Sequence, residues 1–375
     1  MNLNYTGALK DYSGYGEAGR NDIGALLSAG IEVKTEIPTY VMEISDFGEI
    51  GKQCQQRQGL PLNYKIKILH VTPNVYGRYV EQGKYHIGRV IWETDKLPKE
   101  FADNCNKHLD EIWTASEFNK KAIEKAGVSV PIYVIPEAID EELEIEGDVV
   151  PYITINSKGF KFYSMFEWTE RKNPNALLEA YWKEFEDTEG VSLTIKTYVD
   201  SFRPEKQKEI DKYVNIIKAR LQLKRYAPVY LYKQLMDRHQ IYRFHKSFDC
   251  YVSTHRGEGW GIPQVEAMLV GNPIISTNCG GCHEFMNNGK DGFLVKNKMI
   301  PVKANSRNQM WYTQDQNWAD VDVREFRDKM RLIFKDKERF EKMGKTAQQT
   351  VKRKFGFKPV GQIMKSRLEL ISKQL

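Results

Sequence analysis

Glu258 and Glu266 stand with seven residues between them in the stretch His255-Arg256-Gly257-Glu258-Gly259-Trp260-Gly261-Ile262-Pro263-Gln264-Val265-Glu266. Glu258 sits among alternating glycines, where backbone can approach a ligand closely. Glu266 falls just inside a predicted helix. Pro263 suits the first helical turn, because its missing N–H is one of the helix-start orphans, and Gly271 suits the stop. A Gly-rich loop running into a helix N-terminus presents free N–H groups and the positive dipole end to an anion. The carboxylates would not bind that anion themselves. They suit the hydroxyl groups that flank a phosphate, as in a sugar nucleotide. The plainer alternative is that Glu266 complements a helix dipole, worth about 0.3–1 kcal/mol, and that Glu258 is a solvated loop residue.

The ordered pattern resembles the Glu-x7-Glu signature of the retaining glycosyltransferases of family 4, which have the two-domain GT-B architecture. Gly271-Asn272-Pro273-Ile274-Ile275-Ser276-Thr277, Gly280-Gly281-Cys282-His283-Glu284 and Asp291-Gly292-Phe293-Leu294-Val295 continue it. The resemblance implies Glu258 at the transferred sugar and Glu266 on the ribose hydroxyls. Gly257, Gly259, Trp260, Gly261 and Ile262 would line the donor, with His255 and Arg256 orienting Glu258. Family members also place an Arg and a Lys five apart to neutralise the leaving diphosphate. Lys172 matches the Lys, but Glu167 occupies the Arg position, so Arg171 is expected to substitute. Arg clamps phosphate bidentately, while Lys acts as a point charge.

Three further matches follow. Gly14-Tyr15-Gly16-Glu17 resembles the family's Gly-rich loop, which places Gly14 and Gly16 at the donor. Gly88-Arg89-Val90-Ile91-Trp92-Glu93-Thr94-Asp95 resembles a Trp-Glu-Thr-Asp subgroup. There Glu93 replaces a His at the end of a strand, where it would bind a donor hydroxyl or help deprotonate the acceptor. The alternative is that Glu93 and Asp95 cap the turn before Pro98. Lys196 completes the donor set. His70 also ends a predicted strand, where a lone His is commonly structural. Tyr226, Tyr230, Tyr232 and Trp260 read as core or as a base-stacking wall.

These side chains need a frame. The chain has 375 residues, 41% hydrophobic and 28% charged, enough for two globular domains. Apolar strands alternate with amphipathic helices, the pattern of an α/β fold with parallel sheets. Strands are predicted over 2–6, 31–37, 66–71, 87–92, 111–114 and 132–135, then 160–166, 191–197, 229–232 and 249–253. Helices are predicted up to Ser28 after Gly14, between Ser116 and Gly127, and over 173–185, 204–221, 262–270 and 357–375. An acidic connector around 136–157, with Glu137, Asp140, Glu141, Glu142, Glu144, Glu146 and Asp148, divides residues 1–145 from 146–356. The resemblance returns helix 357–375 to the first domain and puts an interdomain cleft between two Rossmann-like domains.

Residues 1–145 carry 16 Lys and Arg against 22 Asp and Glu, a net of −6, and the remainder carries +12. A basic second domain suits a nucleoside diphosphate, of UDP or GDP type. The acidic first domain, on the acceptor side in this family, disfavours a polyanionic acceptor. Five widely spaced cysteines suit a reducing compartment. Without a signal-peptide pattern or an apolar run of membrane length, the expectation is a cytoplasmic protein. Cys279-Gly280-Gly281-Cys282 has redox spacing, yet the glycines explain the position better. Asp320-Val321-Asp322 resembles a metal-binding Asp-x-Asp but reads as a capped helix start within 318–326. No metal and no cofactor beyond the donor are expected. The expected function is retaining transfer of a sugar from a nucleoside-diphosphate donor to an acceptor hydroxyl of a glycan or glycoconjugate. The alternatives are transfer to a modified base of DNA, a GT-B sugar-nucleotide epimerase, or a non-catalytic partner subunit.

Overall fold

A computed structural model describes residues 1–38, 48–141, 159–200, 202–303 and 311–375. The connector residues Glu142, Glu144, Glu146 and Asp148 lie outside that set. The chain divides into two compact units: Met1–Glu144 with Val351–Leu375, and Ile145–Thr350.

The first unit contains β1 (Asn2–Gly7), α1 (Gly14–Ser28), β2 (Glu32–Glu36), α2 (Gly48–Gln56), β3 (Ile66–His70), β4 (Tyr85–Arg89), α3 (Lys99–His108), β5 (Glu111–Thr114), α4 (Glu117–Lys125) and β6 (Ile132–Val134). The strands run in the order β2-β1-β3-β4-β5-β6, every pair parallel. β3 and β5 are buried along their whole length, as expected of central strands covered on both faces. Ser116 caps α4 by accepting the Asn119 N–H. Leu3, Ile23, Leu26, Val33, Ile68 and Trp113 fill the core.

The second unit contains β7 (Phe160–Glu167), α5 (Pro174–Glu184), β8 (Val191–Tyr198), α6 (Pro204–Leu221), β9 (Val229–Tyr232), α7 (Arg238–Lys246), β10 (Cys250–Ser253), α8 (Ile262–Leu269), β11 (Ile274–Thr277), α9 (Cys282–Phe285), β12 (Phe293–Val295), β13 (Asn297–Pro301), β14 (Asn317–Val321) and α10 (Val323–Lys335). Its main sheet, β12-β11-β10-β7-β8-β9, is also wholly parallel. β13 and β14 form a separate antiparallel pair. α11 (Lys337–Phe355) and α12 (Phe357–Ser372) close the chain.

α12 packs along α1, and two glycines set the spacing. A Cβ at Gly24 would lie 2.6 Å from the Phe357 ring, and one at Gly361 would lie 2.1 Å from the Ala25 carbonyl oxygen. The Glu141 carboxylate meets the start of α12, where the Phe357 N–H donates to it at 2.7 Å. Backbone cannot yield as a flexible side chain can. Gly361→Ala is therefore expected to destabilise the chain by about 1–3 kcal/mol, the usual cost of overpacking. A denaturation midpoint equal to that of the parent would mean that α12 slides freely on α1.

Two local expectations need correction. The strand predicted over 87–92 is Tyr85–Arg89, so Glu93 lies beyond the strand end. The Trp92 N–H turns to Asn119 Oδ1 at 2.7 Å, and its indole N–H to Thr94 Oγ1 and the Lys96 carbonyl. These turn bonds take the segment off the ladder. Likewise 318–321 belongs to β14 rather than to a helix start, and Asp322 alone caps α10, accepting from the Arg324 and Glu325 N–H groups.

Candidate active site

β7 and β10 are neighbours in the second sheet, so the loops that leave their C-terminal ends emerge side by side. The first carries Arg171 and Lys172, the second His255 to Gly261. Backbone joins them: the Arg256 N–H donates to the Arg171 carbonyl at 2.7 Å. Side chains then converge. Lys172 Nζ donates to Glu258 Oε1. Arg171 Nη1 lies 3.5 Å from Glu258 Oε2 and donates to the Gly257 carbonyl at 2.9 Å. Burial opposes the Glu258 charge, but Lys172 and Arg171 override it and hold the carboxyl down to about 2. Glu258 is thus an ionised carboxylate between two cations.

The glycines around it answer to sterics. Gly280 has φ +86°, and a Cβ there would come within 2.1 Å of the Glu258 carbonyl oxygen. The Gly281 N–H donates to that same carbonyl at 3.0 Å. His255 is fully buried, its Nδ1 on Ser253 Oγ and its Nε2 on the Cys279 carbonyl, both at 3.0 Å. Burial lowers its pKa to about 4, so the imidazole is neutral and ties two loops together. Its place beside Glu258 is that of a brace. Cys279 and Cys282 are free thiols, and burial first of all pushes the Cys282 thiol up. Trp260 is 3% exposed against Phe285, which makes it core. Gly261, at φ +111°, turns the chain into α8 at Ile262.

Glu266 lies on α8, 2% exposed. Arg238 Nη2 donates to its Oε1 at 2.7 Å and His245 Nε2 meets its Oε2 at 3.2 Å. Burial raises and Arg238 and His245 lower its pKa, and the partners win. Beyond it, Tyr163 Oη bonds His245 Nδ1 at 2.8 Å and accepts from Asn272 Nδ2 at 2.9 Å. The sequence reading missed Arg238 and His245. Their spacing of seven on α7 was the available signal, together with the Asp237–Gln240 capping box that starts that helix. Lys196, near the end of β8, is 6% exposed. Burial lowers it to about 8, against the pull of Glu266.

Glu167, at the end of β7, has its carboxyl pushed up by burial despite Arg171 and Lys172 nearby. Arg256 is held 5.5 Å above the Trp318 ring and 3.4 Å from Asp320. The Ala319 N–H donates to the Arg256 carbonyl at 2.7 Å, so β14 braces the loop that carries Glu258. Tyr230, 40% exposed, and Tyr232 lie on β9, while Tyr226 precedes it and packs against Trp182. Gly14, Gly16 and Glu93 belong to the first unit. Gly14 and Gly16 open α1, where Ser13 caps the helix through the Gly16 N–H. Among the described residues no group of three His, Cys, Asp or Glu is placed to hold a metal ion, and no helix is long and apolar enough to cross a membrane.

Two six-stranded parallel α/β sheets in succession make the GT-B class of fold, and solved structures agree. The chain superposes on the Anabaena Alr3699/HepE protein in complex with UDP-glucose with a TM-score of 0.68 at 14% identity, over 98% of this chain and 99% of that one. It superposes on sucrose-phosphate synthase from Thermosynechococcus elongatus with a TM-score of 0.70 at 12% identity, over the whole of both. Residues 152–310 match the family described as glycosyl transferases group 1, and over the chain as a whole the likeness to these solved structures is one of fold. Alpha-1,3/1,6-mannosyltransferase ALG2 of Dictyostelium discoideum is 29% identical over 113 residues, 30% of this chain but only 21% of that relative.

Proposed function

We propose that the chain is a retaining glycosyltransferase that moves a sugar from a nucleoside-diphosphate donor to an acceptor hydroxyl of a glycan or glycoconjugate. The observation that carries this reading is the Arg171–Lys172–Glu258 cluster at adjacent strand ends, directly ahead of α8. A departing diphosphate carries growing negative charge, and two cations already in place stabilise it at no reorganisation cost. Glu258 holds them until the donor arrives and then meets a hydroxyl of the transferred sugar. Each oxygen of Glu266 has lone pairs beyond those used by Arg238 and His245, which suits ribose hydroxyls. Lys196 adds a cation on the same side. The leaving phosphate deprotonates the acceptor on the front face, and the protein supplies positioning. No metal is needed in this scheme. The relatives complexed with UDP and UDP-glucose support a UDP-type donor, and the free cysteines suit a cytoplasmic setting.

The charge division favours a neutral acceptor bound by the first unit over DNA. Acceptor affinity is accordingly expected to vary little with salt, whereas a protein neutralising several phosphates follows a slope of about −0.9 per contact. The test is thermal denaturation with a panel of UDP- and GDP-sugars, then acceptor titration at two ionic strengths. A ligand at about 100 times its dissociation constant stabilises by about 2.7 kcal/mol. No stabilisation by any nucleotide sugar would sink the reading. A steep salt slope with DNA, joined to sugar transfer, would replace the glycan with DNA. An epimerase would act on the donor with no acceptor present.

A further inference from the structure

His70 ends β3 and stands in register with Gly7, the last residue of β1. The chain runs from β1 to β2 on one side and returns to β3 on the other. Strand order therefore reverses between β1 and β3. In doubly wound sheets the crevice outside the strand ends at such a reversal is where ligands bind. His70 stands at the strand end beside this reversal.

Its hydrogen bonds fix which nitrogen carries the proton. Tyr5 Oη donates to Asp22 Oδ2 at 2.9 Å. Asp22 also accepts from Arg89 Nε at 2.9 Å and from Arg89 Nη2 at 3.2 Å. A phenol has one proton, and here it is committed to Asp22. The 2.7 Å contact between Tyr5 Oη and His70 Nδ1 must then be an Nδ1–H donating to the phenol oxygen. That leaves Nε2 as a bare lone pair. Among the described residues nothing bonds to it, although His70 is only 1% exposed. A buried polar atom without a partner forfeits its hydration and calls for an explanation. Burial, and then the Arg89 charge, hold His70 well below the ordinary imidazole range, so it does not become a cation that could bind phosphate. Tyr15, in the first turn of α1, lies over it with ring centroids 4.2 Å apart. A Cβ at Gly19 would press within 3.4 Å of Nδ1, so that glycine keeps space beside the ring.

We propose that His70 Nε2 is the hydroxyl-recognising atom of a ligand site at the β1/β3 reversal, accepting a hydrogen bond from a neutral hydroxyl of the acceptor, with Tyr15 as the cover that moves aside. The Asp22–Tyr5 relay orients the ring and sets its tautomer. The assignment of this ligand as the acceptor rests on the transferase reading; the hydroxyl site itself rests on the geometry alone.

The test is ¹⁵N NMR of the full chain labelled at its seven histidines, with His70→Leu used to assign the resonance. The free protein should show His70 protonated at Nδ1 and bare at Nε2. Methyl α-D-glucopyranoside, methyl α-D-mannopyranoside and glycerol are the probes, with UDP as control. At least one probe should shift the Nε2 resonance saturably, and UDP should not. A proton on Nε2 in the free protein, or no response to any probe, overturns the proposal. In transfer assays His70→Leu should raise the acceptor KM more than tenfold, with a much smaller change in the KM for the donor. A folded variant with an unchanged acceptor KM also overturns it. If the parent neither transfers nor hydrolyses any nucleotide sugar yet Nε2 responds to a probe, the transferase reading has failed and the hydroxyl site stands.

Discussion

Lys172→Ala is expected to lower turnover at saturating donor by about 10²–10³, the range seen when one preorganised group facing developing charge is removed. The donor's dissociation constant should change far less. Charge on the leaving diphosphate is greater in the transition state than in the bound donor, so the lost contact falls mainly on kcat. Arg171 lies 3.5 Å from Glu258 in the parent chain, so the carboxylate should keep a partner, and the loop its place, in this variant. Single-turnover transfer separates the two effects. Normal turnover at saturation would remove Lys172 from the chemistry and leave it a tether for Glu258.

The second large effect belongs to Glu266. Removing one partner of a buried charge pair costs about 3–5 kcal/mol, because the other is left uncompensated. Arg238 has a side chain 12% exposed and His245 is fully enclosed, and both point at the carboxylate. Glu266→Ala should therefore lose stability in that range by chemical denaturation, and its donor affinity should fall as well. Glu266→Gln keeps an acceptor for Arg238 and is the cleaner probe of the ribose contact. If Glu266→Gln denatures like the parent and binds donor equally well, Glu266 is a core ion and no ribose ligand.

These cases mark how far the sequence could be read. The elements with strong periodicity and punctuation were legible: α6 and β9 fall where they were expected, because Pro204 opens the one and an apolar quartet makes the other. Arg171, Lys172 and Glu258 were singled out one by one through the family resemblance; that they meet depends on β7 and β10 lying side by side in the sheet, a pairing no local stretch of sequence reports. Arg238 and His245 were hidden because their helix reads as a polar surface segment, and only the tertiary fold turns that face onto Glu266. Tyr5, Asp22 and Arg89 were hidden for the same reason. Residues 65 positions apart meet as Tyr5 and His70 through strand pairing, which no local window reports. Glu93 was misplaced by a run of apolar residues, Val90 to Trp92, whose backbone partly leaves the ladder for a turn.

The seating of α12 against α1 has a consequence for how the protein is made. Its first unit is discontinuous: residues 1–144 leave the ribosome early, but the helix that covers α1 comes only after the roughly two hundred residues of the second unit. At about 5–20 residues per second, that is a delay of about 10–40 s. During it the face of α1 that holds Gly24 and Ala25 lacks the helix that covers it. The second unit, contiguous from Ile145 to Thr350, can collapse as it emerges and is complete before the first. The closing part of the first unit is therefore made after the whole of the second, and until then the α1 face around Gly24 and Ala25 is the surface that a ribosome-associated chaperone would meet.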